Sequence, residues 1–105
     1  MYFNCLFYRG NTYSKNHTTL SVDSSEFWQF SWDEMAIYDF PTQIEYALKT
    51  NGNYPKIVYI GHSEGTTQAF AGLTVNSSIA DNLYGFVGLG PVISVTHMTN
   101  LWLKV

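Results

Sequence analysis

Charged residues are scarce in this 105-residue chain. Only 12% of its residues are charged, whereas an ordinary soluble domain has about 25%. The five Lys and Arg residues are scattered along the sequence, and the formal net charge is −3. A protein that binds the phosphate backbone of nucleic acid needs a basic face or stripe. We therefore expect no nucleic-acid partner.

Cysteine and long apolar runs are also nearly missing. Cys5 is the single cysteine, which excludes an internal disulfide and a cysteine-based zinc site. Because it lies in an apolar run, we expect it to be buried or covered by a partner. The longest apolar stretch, residues 84–95, is interrupted by Gly and Pro and is shorter than the ~18 residues that a membrane-spanning helix needs. The first eight residues do not form a convincing signal peptide. No cofactor or metal site is expected.

Apolar and aromatic residues are abundant instead. Hydrophobic residues make up 46% of the chain and aromatic residues 17%, which excludes a disordered chain. The few charged side chains would cover the surface of a free globule only thinly. We therefore expect residues 1–105 to be an incomplete domain, in which the apolar faces are covered by chain outside this sequence.

The order of predicted elements is typical of an α/β fold with parallel strands. Ser31 and Glu34 have the spacing of a capping box at a helix start. Asp39 and Pro41 indicate a second, separate helix start. The run at 56–60 is apolar without alternation, which predicts a strand buried on both faces. The full prediction is strand 2–8, an ordered loop 10–25, helices 33–38 and 39–50, strand 56–60, helices 64–75 and 77–83, and strand 86–90.

A G-x-S-x-G motif lies between the strand at 56–60 and the helix from 64. This motif predicts a nucleophile elbow, a sharp strand-to-helix turn that projects a serine hydroxyl from the sheet. Its glycines are needed because side chains there would collide with the neighbouring backbone. The backbone N–H of the residue after the serine is then a donor to the oxyanion. The residues are the nucleophile Ser63, the donor Glu64, and Gly61, His62 and Gly65 of the elbow. The alternative is an ordinary strand–helix turn in which the serine only caps the helix.

A serine nucleophile needs a histidine base and an acid that orients it. Asp81 and His97 follow Ser63 in the order that hydrolases use. Only one strand follows the motif, however, so we interpret both as bystanders. His17 and His62 do not have the required order, and we expect surface or packing roles for them.

A cluster of rings precedes the first helix: Phe27, Trp28, Phe30 and Trp32. Rings of this size are more often part of a packed core than of a ligand site. We therefore favour packing onto the sheet, and contact with a lipid–water interface is the alternative.

Several motifs together resemble the acid lipase family, whose members include gastric and lysosomal lipases. The resemblance runs from Tyr8 to about Val95. The motifs that carry it are Arg9-Gly10-Asn11-Thr12-Tyr13-Ser14, residues 25–28, residues 30–35, Tyr38-Asp39-Phe40-Pro41 and residues 58–67.

The resemblance implies an α/β-hydrolase fold and hydrolysis of neutral lipid esters, the triacylglycerols and steryl esters, by a Ser-Asp-His triad. Ser63 matches the nucleophile of the family, and Glu64 stands where the family often has Gln. The implied triad Asp and His lie beyond residue 105, so this chain corresponds to an internal part of such an enzyme and is expected to be inactive alone. The resemblance also implies a secreted or lysosomal location.

Two other classes of protein remain open. One is a different serine acyl-transfer enzyme on the same fold, such as a thioesterase or an acyltransferase. The other is a catalytically inactive truncated product. The oligomeric state does not follow from the sequence.

Overall fold

The computed structural model describes residues 4–52 and 54–96. It shows a mixed α/β arrangement with two parallel strands and helices between and before them. The predictions for residues 2–3 and for His97 lie outside the described part. The elements are a 3-10 turn at Ser25–Trp28, α1 at Trp32–Glu34, a π-helical segment at Met35–Asp39, α2 at Phe40–Thr50, β1 at Ile57–His62, α3 at Glu64–Val75, a 3-10 helix at Ser77–Asn82 and β2 at Leu83–Leu89.

The predicted capping box is present at the start of the helical region. The Ser31 hydroxyl accepts a hydrogen bond from the Asp33 N–H at 3.3 Å, and the Glu34 carboxylate accepts one from the Ser31 N–H at 2.6 Å. These bonds satisfy backbone donors that have no helical partner. The hydrogen bonds to Ser31 also hold the pKa of Glu34 below its ordinary value.

The predicted break at Asp39 is wrong, because the helix continues through it. Asp39 has helical backbone angles and makes no side-chain cap hydrogen bond. Its carboxylate instead accepts from the Arg9 side chain at 2.7 and 2.9 Å and from the Arg9 N–H at 2.9 Å. The π-helical segment directly before Pro41 widens the helix, which accommodates the proline ring and its missing N–H.

The core lies between the helices and one face of the sheet. Phe40 and Ile44 of α2, Ala69 of α3 and Ile79 of the 3-10 helix are buried together. Ile57, Tyr59, Leu83 and Phe86 of the strands pack against them. The helices therefore cover one face of the two-stranded sheet and hold the ends of its strands in place.

The other face of the sheet is exposed in this chain. Val58 and Ile60 of β1 are 55% and 51% exposed, and Val87 and Leu89 of β2 are 45% and 49% exposed. The prediction of a strand buried on both faces is therefore wrong for these residues alone, because no described element packs on this side.

The predicted first strand is wrong for residues 4–8, which are irregular and mostly exposed. A strand needs a neighbour for its backbone groups, and within the described residues β1 pairs only with β2. The segment is held at its end by the Arg9–Asp39 ion pair. Cys5 is exposed, so its predicted burial is wrong within this chain, and pairing with a partner stays a prediction.

The ring cluster packs the loop of residues 10–25 against the start of the helices. Phe27 is buried and meets Trp28 edge to face at 4.9 Å between ring centroids. The Trp28 indole N–H donates to the carbonyl of Val22 at 2.8 Å. Gly10 has a φ of +80°, and a Cβ atom there would lie 2.7 Å from the Phe30 ring. These contacts show packing of the rings within the loop region, whereas Trp28 is 46% exposed, and packing of the cluster onto the sheet stays a prediction.

Candidate functional site

The chain makes a sharp turn between β1 and α3, and Ser63 is at its apex. Ser63 has a φ of +50° and a ψ of −114°, and it is the one non-glycine residue with a positive φ among residues 4–52 and 54–96. Such backbone strain concentrates at functional sites. The residue is exposed, and its side chain makes no cap hydrogen bond to α3. The alternative of a capping serine therefore has no support in the geometry.

The two glycines of the motif differ in how closely the backbone approaches them. A Cβ atom on Gly61 would lie 2.8 Å from the carbonyl oxygen of Gly65 and 3.0 Å from the ring of Tyr59. A Cβ atom on Gly65 would meet only the Tyr59 hydroxyl, at 3.6 Å. The expectation that a side chain would collide thus holds for Gly61 and not for Gly65. Tyr59 supports the turn by donating to the Gly65 carbonyl at 3.0 Å.

Helix α3 starts directly after the serine. Its first residues, Glu64 and Gly65, have backbone N–H groups without helical partners, and the helix dipole makes this end favourable for negative charge. An exposed hydroxyl beside free N–H groups is the arrangement that a covalent acyl-transfer site uses, because the oxyanion forms next to the attacked carbon.

The side chain of Glu64 has a neighbour that sequence reasoning missed. The Glu64 carboxylate lies beside the hydroxyl of Tyr8, and its hydrogen bond raises the pKa of Tyr8 to about 12, with burial as a second cause. The pKa of Tyr8 therefore depends on a charge in the first turn of α3. No sequence signal indicated this contact, since Tyr8 and Glu64 are 56 positions apart.

The other predicted candidates lie apart from Ser63 or outside the described residues. His62 is exposed at the end of β1. Asp81 precedes the first residue of β2, whereas Ser63 follows the last residue of β1, and the two strands are parallel. Asp81 is therefore at the opposite edge of the sheet, roughly 20 Å along the strand direction. His97 lies outside the described residues.

His17 belongs to the loop and has a local role. Its Nδ1 accepts hydrogen bonds from the N–H groups of Thr19 and Leu20 at 3.1 and 2.9 Å. Its ring packs edge to face against Phe27 at 6.1 Å. These contacts agree with the expected surface or packing role.

Two threonines behind the turn were not singled out from the sequence. Thr66 and Thr67 both bond to the segment that follows β2, through the Val92 N–H at 2.9 Å and the Val92 carbonyl at 2.8 Å. Two adjacent threonines in the first turn of the predicted helix 64–75 were the available signal. These bonds join the turn after β1 to the turn after β2.

Neither a metal site nor a membrane span is found in the described part of the chain. Residues 4–52 and 54–96 hold no group of three or more His, Cys, Asp or Glu side chains that could bind a metal ion. Among the same residues, no helix combines the length and apolar character needed to cross a bilayer.

Comparison with known proteins gives matches to lipases over most of the chain. Human "Lysosomal acid lipase/cholesteryl ester hydrolase" is 44% identical over 97 residues, which is 92% of this chain and 24% of that protein. Bovine "Gastric triacylglycerol lipase" is 41% identical over 97 residues, with the same coverage of 92% and 24%. "Lipase 1" of Drosophila melanogaster is 44% identical over 85 residues, or 81% of this chain and 19% of that protein. No protein-family model matches the chain.

These matches show the class of protein: the chain is related to carboxylic ester hydrolases of the lipase type. Within that class it is a homologue of the acid lipases, the lysosomal and gastric group. The resemblance expected from the sequence motifs is thereby confirmed. The chain spans about a quarter of the length of the first relatives it matches, and the homology implies part of an α/β-hydrolase fold for it.

Proposed function

We propose that the turn at Gly61–Gly65 is the nucleophile elbow of a serine lipase and that Ser63 is its nucleophile. The observation that carries this proposal is the strained, exposed Ser63 at φ +50°, immediately after a parallel strand and before a helix. The close approach of Gly61 to the Gly65 carbonyl supports it. The alternative triad partner Asp81 is at the wrong edge of the sheet to contribute.

The proposed reaction is ester hydrolysis in two steps. The Ser63 hydroxyl loses its proton to a histidine base while its oxygen bonds to the ester carbonyl carbon, and the alcohol leaves with that proton. Water then attacks the acyl-enzyme, releasing the fatty acid and restoring the hydroxyl. The backbone N–H of Glu64 donates to the oxyanion in both steps. The base and its acid partner belong to chain outside residues 1–105, which we propose to be an incomplete domain.

The proposed substrates are esters of neutral lipids. The names of the relatives include cholesteryl ester hydrolase and triacylglycerol lipase, and these two ester classes are the ones to test. The experiment is hydrolysis of triolein and cholesteryl oleate by the full-length gene product, compared with Ser63→Ala. We expect turnover by the wild type and loss of at least about 10⁴-fold in Ser63→Ala, because removing a nucleophile leaves only the binding and oxyanion contributions.

The outcomes of this assay separate the other classes. A strong preference for acyl thioesters over both lipid esters would indicate another serine acyl-transfer enzyme and contradict the proposed lipase. Undiminished lipid hydrolysis by Ser63→Ala would overturn the proposed nucleophile. The same assay on residues 1–105 alone is expected to show no turnover. Turnover by that chain would show that its own residues supply the base.

We also propose that the protein is secreted or lysosomal, as the names of its relatives suggest. Two glycosylation triplets, Asn16-His17-Thr18 and Asn76-Ser77-Ser78, are compatible with this route. Asn16 and Asn76 are both exposed. Peptide mass spectrometry of the protein from its native source is expected to find a glycan on at least one of them, and a cytosolic protein without glycans would contradict the location.

A further inference from the structure

Thr66 is fully buried, and its hydroxyl forms two hydrogen bonds. It is 0% exposed, in the first turn of α3. Its Oγ1 donates to the carbonyl oxygen of Ser63 at 2.5 Å and accepts from the N–H of Val92 at 2.9 Å. A buried hydroxyl is costly unless it is hydrogen-bonded, and this one uses both its donor and an acceptor lone pair on backbone groups.

The backbone of Ser63 is consequently held on both sides. Its N–H donates to the carbonyl of Leu89, the last residue of β2, at 2.9 Å. Its carbonyl accepts from the Thr66 N–H at 2.9 Å in addition to the Thr66 hydroxyl. A φ of +50° at a residue with a side chain persists only where the surroundings over-determine it. These three hydrogen bonds fix the backbone of Ser63 in that conformation.

The carbonyl of Ser63 belongs to the same planar peptide unit as the N–H of Glu64. Because the peptide bond is rigid and trans, the N–H points opposite to the C=O across that plane. A group that fixes the direction of the Ser63 carbonyl therefore fixes the direction of the Glu64 N–H. A hydrogen bond to the carbonyl also polarises the amide and strengthens its N–H as a donor.

We infer that Thr66 is a positioning residue of this site, whose hydroxyl aims the Glu64 N–H at the oxyanion through the shared peptide plane. The inference rests on the proposed function, in which that N–H is an oxyanion donor. The hydrogen bond from the Val92 N–H fixes the position of the Thr66 hydroxyl. That hydroxyl in turn fixes the Ser63 carbonyl through its own hydrogen bond.

The test uses the full-length gene product, with kcat and KM measured separately for Thr66→Val, Thr66→Ser and Thr74→Val. Thr66→Val keeps the shape and removes the hydroxyl. Thr66→Ser keeps the hydroxyl and removes the methyl group. Thr74→Val is the matched control, because the Thr74 hydroxyl also donates to a backbone carbonyl of α3, that of Phe70 at 2.8 Å, but is exposed at the far end of the helix.

We expect Thr66→Val to lower kcat by about 10- to 100-fold with KM changed less than about threefold, since the full loss of one oxyanion donor costs about 10² to 10³ in kcat. Thr66→Ser and Thr74→Val should both stay within about threefold of the wild-type kcat. A purely structural role would instead lower the amount of folded enzyme in Thr66→Val without changing kcat per labelled active site. If Thr66→Val fails to fold, Thr66→Ala takes its place: a kcat loss of tenfold or more in folded Thr66→Ala supports the inference, and a wild-type kcat there overturns it.

Three results would overturn the inference. The first is a wild-type kcat in folded Thr66→Val. The second is a tenfold or greater kcat loss in Thr66→Ser. The third is full activity of Ser63→Ala, which would remove the proposed function and the inference with it. A dead Ser63→Ala together with a fully active Thr66→Val would leave the proposed function standing and remove only the role of Thr66.

Discussion

A carboxylate directly beside the proposed nucleophile is the unusual feature at the scale of single residues. Glu64 contributes its backbone N–H to the proposed oxyanion site, while its side chain places negative charge on the same first turn of α3. The hydrogen bond to this carboxylate and its negative charge raise the pKa of the neighbouring Tyr8 hydroxyl. The Tyr8–Glu64 contact is therefore open to a direct titration.

Substituting Glu64→Gln should lower the pKa of Tyr8 from about 12 toward its ordinary value of 10, because both the charge and the charged hydrogen-bond acceptor are removed. A raised pKa in the folded state contributes stability that is present below pH 10 and is lost as the pH rises through 12. Phenolate absorbance, as a difference between the wild type and Tyr8→Phe, measures that pKa. An identical Tyr8 titration in wild type and Glu64→Gln would contradict the contact.

The glycines of the turn give a second test at single residues. Gly61→Ala should abolish modification of Ser63 by a serine-directed phosphonate, because the new Cβ would lie 2.8 Å from the Gly65 carbonyl and the turn would have to open. Gly65→Ala is the matched variant, with its nearest new contact at an ordinary 3.6 Å. Modification rates of the two variants in the full-length protein provide the measurement. Equal rates would show that the tight approach at Gly61 does not maintain the turn.

At the scale of elements, the local signals in the sequence located most helices and strands. The strand predicted at 56–60 and observed at 57–62, and the helix at 64–75, were found because a run of β-branched and aromatic residues and a glycine-flanked serine mark them. The break at Asp39 was mispredicted because the Asp39 carboxylate pairs with Arg9, 30 positions away, and does not cap a helix. Long-range pairings of this kind, like that of Tyr8 with Glu64, are not encoded in local sequence patterns.

Packing of α3 on α2 depends on a glycine. A Cβ atom on Gly72 would collide with the ring of Phe40, which is fully buried. Gly72→Ala is therefore expected to destabilise the protein by about 1–3 kcal/mol, the usual cost of overpacking. The shift in the denaturant midpoint of the full-length protein gives this value.

Thr74→Ala is the control for that substitution. Thr74 is exposed near the end of the same helix, so its effect should be within about 0.5 kcal/mol. If both variants shift the midpoint equally, the cost at Gly72 does not arise from contact with Phe40.

For the molecule as a whole, the scarcity of charge and the exposed sheet face have one explanation. The chain spans about a quarter of its relatives' length, and half-exposed valine, isoleucine and leucine side chains occupy one whole face of its sheet. Exposed apolar patches and open strand edges promote association. The composition predicts that residues 1–105 are an incomplete domain, and the structure shows which face of the sheet is uncovered in them.

Residues 1–105 alone are therefore expected to aggregate or to unfold without a sharp transition. Replacing Val58, Ile60 and Val87 by Thr should increase the monomeric fraction severalfold, because threonine keeps the branched shape and reduces the apolar area. Size-exclusion chromatography and thermal unfolding measure both properties. A sharp, cooperative thermal unfolding transition of the unmodified monomer would contradict the prediction that residues 1–105 are an incomplete domain.

The proposed function depends on Ser63 acting as an acyl-accepting nucleophile. Its most direct test is reaction of the full-length protein with a fluorophosphonate, followed by peptide mass spectrometry of the modified site. We expect stoichiometric modification of Ser63 in the wild type and no modification in Ser63→Ala, which should also lose lipid ester hydrolysis. Modification of a different serine, with Ser63 unmodified and hydrolysis lost, would contradict it.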